Sequence, residues 1–288
     1  MDISIEKLSV AFPSEKGETL VLRPTCLTWK EGEILALVGE SGSGKSILGA
    51  AIAGLLPKEA EIKGKILYGD KDLLKLNEDE QNEFRRTTLG WIAQDPVSAL
   101  DPIYKVGRQV AEAFSFLHKP SKAEAKEKAV AQLGKFGFSE PESIYPLYPS
   151  EMSGGMAQRA LTAMMTMTNP SMIIADEPTK GLDAFVRKQV ADNFRKLKNQ
   201  GTGILLITHD LHLARNLSDS MAVLYAGEIL EQGRTEDIFA SPQHPYTRGL
   251  LAADPRRGLH PIEGKPPAGE RWPEEDTLSS YGFRKGGR

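Results

Sequence analysis

An α/β fold, opened by an antiparallel β segment and interrupted by a helical insertion, is predicted by two patterns and one change of texture in this 288-residue sequence. Short apolar runs rich in branched residues alternate with longer helical stretches: Ile34 to Val38, Leu89 to Ala93, Met172 to Ala175 and Ile204 to Thr208. This alternation is that of a sheet with crossover helices. Each run ends at a polar or Gly-bearing segment, and such sheets place ligands at the carboxyl ends of their strands. Between about Asp95 and Thr168 the strand signals thin out, and Val106 to Leu117, Ser121 to Phe136 and Ser153 to Met167 carry helix-forming composition.

Taken in order, residues 2–12 and 19–29 read as strands that precede the first buried run. Ser220 to Gly233 reads as a strand pair turning at Ala226-Gly227. The opening MDISIEKLSVAF alternates polar and apolar residues, the pattern of a first strand rather than of a signal peptide. No apolar run approaches the roughly 20 residues that span a bilayer as a helix, so any membrane role is exercised from the surface through partners. A formal net charge of −3 supplies no global basic field for nucleic acid. Cys26 is the single cysteine, which excludes an intrachain disulfide and a Cys-built metal cluster and fits a reducing compartment. From Arg256 onward the sequence is rich in Pro, Gly and charge and is expected to be a poorly ordered or partner-dependent tail.

The strongest chemical signal is Gly39-Glu40-Ser41-Gly42-Ser43-Gly44-Lys45-Ser46, a complete G-x-x-x-x-G-K-[ST] loop. The run ILALV precedes it, and an apolar helical face of Leu48, Ala51, Ile52 and Leu55 follows it. Glycines let successive backbone N–H groups turn around an anion, and the helix N-terminus adds its positive end. Lys45 is expected to reach the β- and γ-phosphates of ATP, and the Ser46 hydroxyl to ligate Mg²⁺. At ordinary residue frequencies a chance match in a chain this long is of order one in a hundred, and the correct flanking elements lower that further. A phosphate loop also needs a carboxylate for the metal, and Met172-Ile173-Ile174-Ala175-Asp176 supplies one at a strand end. Asp176 is then the metal partner, and Glu177 is placed to accept a hydrogen bond from the attacking water. Taken alone, the two acids could instead cap a helix.

The stretch Tyr148-Pro-Ser-Glu-Met-Ser-Gly-Gly-Met-Ala-Gln-Arg159 resembles the signature of the ATP-binding cassette ATPases, with Met152 and Met156 in place of its usual Leu and Gln. Ser153, Gly154 and Gly155 before a helix make a second anion-binding end, although such a tripeptide alone is more often a loop and N-cap. The resemblance implies the phosphate-loop ATPase fold of that family, with an N-terminal antiparallel β subdomain and a helical insertion. It also implies that two chains facing head to tail sandwich two ATP molecules. Further positions follow from it: Gln94 as the glutamine that touches the metal and couples to membrane subunits, and Asp183 of Gly181-Leu182-Asp183 at the dimer interface. His209, after ILLIT, matches the switch histidine at the γ-phosphate, and Phe12 is the candidate to stack on adenine. The expected division is a catalytic core of residues 1–94 and 169–240, a helical signature subdomain of 95–168, and a C-terminal extension of 241–288.

Within that family, Val38 to Lys45, Gln94 to Pro102 and Ser241-Pro-Gln-His-Pro-Tyr-Thr-Arg-Gly-Leu-Leu251 resemble the importers of oligopeptides, dipeptides and nickel. That resemblance implies two transmembrane permease subunits, a second ATPase subunit that is a copy or a paralogue, and an indirect extracytoplasmic solute-binding protein. It implies a peripheral position on the cytoplasmic face of the inner membrane, with no nucleic-acid partner. His244 is expected to serve structure or docking rather than metal binding. Ile262 to Pro267 resembles the start of a proline-rich tail that carries cysteine in many peptide importers, yet no cysteine follows here, which tilts the reading slightly toward nickel or a metallophore. Two alternatives stay open: an accessory ATPase of phosphonate metabolism, and a soluble cassette ATPase of DNA repair or translation. The second usually carries long coiled coils or two cassettes, and this sequence shows neither heptads nor a second phosphate loop.

Overall fold

The computed structural model describes residues 1–15 and 17–253, so the tail expected from Arg256 lies outside the described residues. Strands β1 (Ile3–Ser14), β2 (Gly17–Trp29) and β3 (Ile34–Val38) lead into helix α1 (Lys45–Ala53), then β4 (Glu61–Tyr68) and a two-residue β5 (Lys71–Asp72). Next come α2 (Glu78–Thr87), β6 (Leu89–Ile92), α3 (Pro96–Ala99), α4 (Val106–His118), α5 (Lys122–Lys135), α6 (Pro141–Ile144) and α7 (Gly154–Met165). The remainder runs through β7 (Met172–Asp176), α8 (Ala184–Asn199), β8 (Gly203–Thr208), α9 (Leu211–Leu217) and β9 (Ser220–Tyr225). It closes with β10 (Glu228–Arg234), α10 (Thr235–Ala240) and α11 (Pro245–Ala252). The chain forms two compact units, one of Met1–Leu76 with the chain from Ile207 onward, the other of Asn77–Leu206.

In the first unit an antiparallel sheet has the order β2-β1-β4-β5. Its apolar face depends on a bulge. Ile3 and Ile5 are buried, and so are Leu8 and Val10, so the inward set changes from odd to even positions. The change falls at Lys7, whose φ is 48°, where the pairing with β4 slips between Glu6 and Ser9. One extra residue keeps the apolar side chains on one face; strict alternation would turn Leu8 and Val10 to solvent. The same unit contains strands in the order β10-β9-β3, with β9 antiparallel to β10 and parallel to β3. All five residues of β3 are buried, as a strand covered on both faces requires. Ala36 and Val38 of β3 share an apolar cluster with Met221, Val223 and Tyr225 of β9, Leu211 and Ala214 of α9, Ile238 of α10, and Tyr246 and Leu251 of α11. The β9–β10 turn, at Ala226-Gly227 as the sequence predicts, is tied to β2: Arg23 N–H donates to the Gly227 carbonyl at 2.8 Å.

In the second unit the strand order is β8-β7-β6, and β6 and β7 are parallel with Leu89 opposite Met172 and Ile92 opposite Ala175. Helices α4, α5 and α7 bury Val106, Val110, Ala129, Leu133, Ala157 and Leu161. A buried polar link joins two of them, since Gln132 Nε2 donates to Thr166 Oγ1, just past α7, at 3.0 Å. Helix α2 has no buried residue and is held at its start by a capping box, in which Asn77 Oδ1 accepts from Glu80 N–H and Glu80 Oε2 accepts from Asn77 N–H, both at 3.0 Å.

Candidate nucleotide site

The phosphate loop belongs to the first unit, between the end of β3 and α1. Its entry glycine is fixed by neighbouring backbone: a Cβ on Gly39 would overlap the Leu224 carbonyl oxygen of β9. Gly44, at φ 103°, caps α1 in the left-handed region and packs against Leu22 of β2. The loop is also held from outside itself, because Gly227 N–H donates to the Ser43 carbonyl at 2.9 Å. Lys45 is buried, with Nζ donating to the Gly39 carbonyl at 2.9 Å and to the Glu40 carbonyl at 2.7 Å. Two carbonyls thus aim its ammonium along the loop. Replacing Gly39 with Ala is expected to destabilise the fold by about 1–3 kcal/mol through this overlap. A urea melt checks it, and an unchanged midpoint would show that β9 yields to the methyl group.

Several features of the loop suit a bound polyphosphate. No side chain caps the N-terminus of α1, whereas Ser153, Asp183 and Asp210 cap α7, α8 and α9. That leaves the positive end of α1 for an anion. Ser43 is buried and its hydroxyl has no hydrogen-bond partner among the described residues, a cost that an acceptor oxygen would remove. Ser46, in the first turn of α1, is exposed. His209 also lies in this unit, exposed directly after β8, with Asp210 accepting from the His212 and Leu213 N–H groups to start α9. Phe12, on β1 opposite Thr19, is half-buried.

The second unit carries the acids. Asp176 is the buried last residue of β7, and Glu177 follows it with a φ of 47°. A non-glycine residue in that region is strained by about 1–3 kcal/mol, and such strain clusters at functional sites. Since Ile92 lies opposite Ala175, Gln94 and Glu177 each stand two residues beyond a paired position on adjacent parallel strands. Gln94 is exposed, and Asp95 beside it caps α3 through Val97 N–H at 3.1 Å and Ser98 N–H at 3.3 Å. The Ser98 hydroxyl bonded to Asp95 holds that carboxylate below its usual pKa. Ser153 Oγ accepts from Met156 N–H at 3.3 Å, so it is an N-cap, with Gly154 and Gly155 opening α7. Gly155 packs on Val186 of α8, whose N-cap is Asp183, accepting from Phe185 and Val186 N–H at 2.9 Å each.

The C-terminal element also has a defined role. His244 caps α11, its Nδ1 accepting from Tyr246 N–H at 3.1 Å, and burial holds its pKa below the usual value. Of the two roles the sequence leaves open, structure or docking, the cap is a structural one. The packing of Tyr246 in the same cluster as Val38, the residue before the loop, is the feature that sequence reasoning missed. The H-P-Y-T segment is visible as a marker, but nothing in its spacing links it to position 38, 208 residues away (246 − 38).

A phosphate loop between a fully buried strand and an uncapped helix, in an α/β unit, defines a P-loop nucleotide-binding protein. The family profile described as ABC transporter matches residues 22–180. A second profile, described as the C-terminal region of oligopeptide/dipeptide transporters, matches residues 230–277. The oligopeptide transport ATP-binding protein OppD of Bacillus subtilis is 40% identical over 98% of this chain and 82% of its own length. The dipeptide transport ATP-binding protein DppD of the same organism is 39% identical over 92% of this chain and 82% of its own. Among solved structures, the dimeric post-hydrolysis state of the ATP-binding cassette MJ0796 bound to ADP and Pi superposes with a TM-score of 0.74 at 25% identity, covering 81% of this chain and 98% of that one. This chain belongs to the ABC transporter family and is an ATP-binding, ATP-hydrolysing cassette. Among the described residues no helix is long and apolar enough to cross a membrane.

Proposed function

We propose that this chain is the ATPase subunit of an importer for oligopeptides or dipeptides, working at the cytoplasmic face of the membrane beneath two permease subunits. The observation that carries this reading is the match of residues 230–277 to the C-terminal region of oligopeptide/dipeptide transporters, joined to a cassette whose relatives are named for peptide transport. The nickel or metallophore alternative shares the three resembling stretches and is favoured over peptide only by the tail's lack of cysteine.

In the proposed cycle, two cassettes, copies or paralogues, close on two ATP molecules. Residues 1–94 and 169–240 act as the catalytic core and residues 95–168 as the helical arm that presents the signature and faces the permease. The amides of Gly39 to Ser46, the unpartnered Ser43 hydroxyl and the Lys45 ammonium bind the phosphates. Ser153, Gly154 and Gly155 of the facing chain complete the charge neutralisation at the γ-phosphate. Ser46, Gln94 and Asp176 offer only oxygen donors, the set a hard divalent ion such as Mg²⁺ takes. Bound there, Mg²⁺ would neutralise charge on the β- and γ-phosphate oxygens. Glu177 accepts a hydrogen bond from the attacking water, His209 holds that geometry, Asp183 lies at the interface, and Phe12 stacks on adenine. Closure then biases a two-state membrane assembly.

The test is purification of the tagged chain from native membranes, followed by reconstitution in liposomes. Recovery with polytopic membrane proteins, and ATP-driven uptake of a labelled tripeptide but not of Ni²⁺, is the expected result. Recovery with no polytopic protein would reject the importer, and uptake of Ni²⁺ alone would reject the substrate.

A further inference from the structure

The second unit ends in an exposed apolar and cationic tip that takes no part in its core. Helices α4 and α5 pack on each other and are joined by only three residues, 119–121, so they turn back as a hairpin. At its tip Phe116 and Leu117, the last apolar residues of α4, are 58% and 39% exposed. The helix spends its other face on the core, through Val106, Val110 and Ala111. Two adjacent large apolar side chains left in water are a surface that a binding partner can bury.

Cations surround this apolar point. Lys119 on the connector and Lys122 at the start of α5 are both exposed. Arg86, exposed in the last turn of α2, lies over the Phe116 ring with its guanidinium carbon 5.2 Å from the centroid. None of the three forms an ion pair among the described residues. No acid occurs from residue 113 to residue 123; Glu112 and Glu124 bracket the stretch, and Glu124 N–H is engaged in starting α5, donating to Ser121 Oγ at 3.2 Å. Lys119 also stands at φ 45°, a helix-closing position that glycine takes without strain, yet a cation occupies it.

A protein groove and a bilayer set different requirements for such a tip. A groove needs matched shape and an opposite charge for each cation it covers. An anionic bilayer surface needs neither, because it is fluid, admits aromatic and aliphatic side chains at headgroup depth, and attracts cations placed around them. The end of a hairpin, apolar at its centre and of one charge sign around it, fits the second description.

We infer that the α4–α5 tip is a lipid contact: Phe116 and Leu117 enter the headgroup region of an anionic leaflet, and Arg86, Lys119 and Lys122 bind its phosphates. The inference rests on the membrane-surface part of the proposed function and adds to it a contact made without the permease.

Flotation of the full chain with vesicles tests this, since vesicles contain no permease. At low ionic strength the chain is expected to float with vesicles of equal parts phosphatidylglycerol and phosphatidylcholine, and to bind phosphatidylcholine alone about tenfold less or weaker still. Lys119→Glu with Lys122→Glu, and separately Phe116→Ser with Leu117→Ser, are each expected to weaken binding to the anionic vesicles by about tenfold. An ATP Kd within about twofold of wild type shows that these surface variants are folded. Lys58→Glu with Lys71→Glu makes the same charge change at exposed positions of the first unit and is expected to weaken binding far less. A wild-type chain that does not float with anionic vesicles overturns the inference. So does an equal loss in the two charge variants, which would assign the attraction to net charge. Tip variants that bind vesicles normally but no longer recover polytopic proteins would make the tip a permease contact, and that also overturns it. A chain that floats through its tip yet is recovered from native membranes with no polytopic protein would uphold the lipid contact while rejecting the importer, so the two failures are distinguishable.

Discussion

Replacing Lys45 with Ala is expected to weaken ATP binding about 100-fold. The side chain is buried and held by two carbonyls, so its ammonium is pre-aimed, and a charge-assisted bond to phosphate is worth about 1.5–3 kcal/mol, with 1.4 kcal/mol to each factor of ten. Lys45→Arg is not a rescue. The planar guanidinium cannot reproduce a point charge directed by the Gly39 and Glu40 carbonyls, and its volume does not fit a residue that is 7% exposed. Isothermal titration with ATP and Mg²⁺ reads both variants. Wild-type affinity in Lys45→Ala would mean that the loop amides alone bind the phosphates.

Glu177→Gln is expected to lower ATP turnover in the assembled complex by about 10²- to 10⁴-fold, the range for removing a positioned general base, while ATP affinity stays within about threefold of wild type, since such a base adds little to ground-state binding. The two effects separate because Gln is nearly isosteric and retains the backbone at φ 47°, where Lys180 N–H donates to the Glu177 carbonyl at 3.1 Å. The strained residue therefore stays where β7 delivers it, and only the proton acceptor is lost. Single-turnover hydrolysis with labelled ATP is the measurement, and near-normal turnover would remove Glu177 from the role proposed for it.

The buried strands of the fold could be read from the sequence because their physics is local. β3, β7 and β8 are continuous apolar runs with every residue buried, and the runs Ile34 to Val38, Met172 to Ala175 and Ile204 to Thr208 locate them within a residue. Helices α4, α5 and α7 follow from composition in the same way, and Ser153 caps α7 as a Ser before two glycines should. β4 escaped notice: EIKGKILY has one fully buried residue, and its pairing with β1 is a long-range choice that local propensity does not encode. The bulge at Lys7 leaves a trace, the consecutive polar pair Glu6-Lys7 in the opening alternation, but only the pairing with β4 shows that the extra residue is a bulge.

The candidate site divides along the same line. Gly39 reads in sequence as a glycine that lets amides face an anion, and the structure adds that the Leu224 carbonyl leaves no room for a side chain. Ser43 is a filler position in the loop pattern, yet it accepts from Gly227 through its carbonyl and buries its hydroxyl. Such backing arises from β9 and the turn that follows it, almost two hundred residues further on, and no periodicity announces it. Asp183 and Asp210 illustrate the opposite case, since residues next to a motif turn out to start helices and thereby set where that motif points.

The central claim is that the loop at Gly39 is half of a site, completed by Ser153 to Gly155 of a facing cassette. A photoreactive benzoyl-phenylalanine placed at position 154 tests it directly, because a Cβ there meets nothing within 4 Å and the probe should not disturb α7. In the Glu177→Gln background, with Mg²⁺ and ATP, illumination is predicted to join this position to a phosphate-loop peptide of a second ATPase chain, whether a copy or a paralogue, and to do so only when nucleotide is present. A crosslink confined to the same chain, or one that forms equally without ATP, would contradict the account.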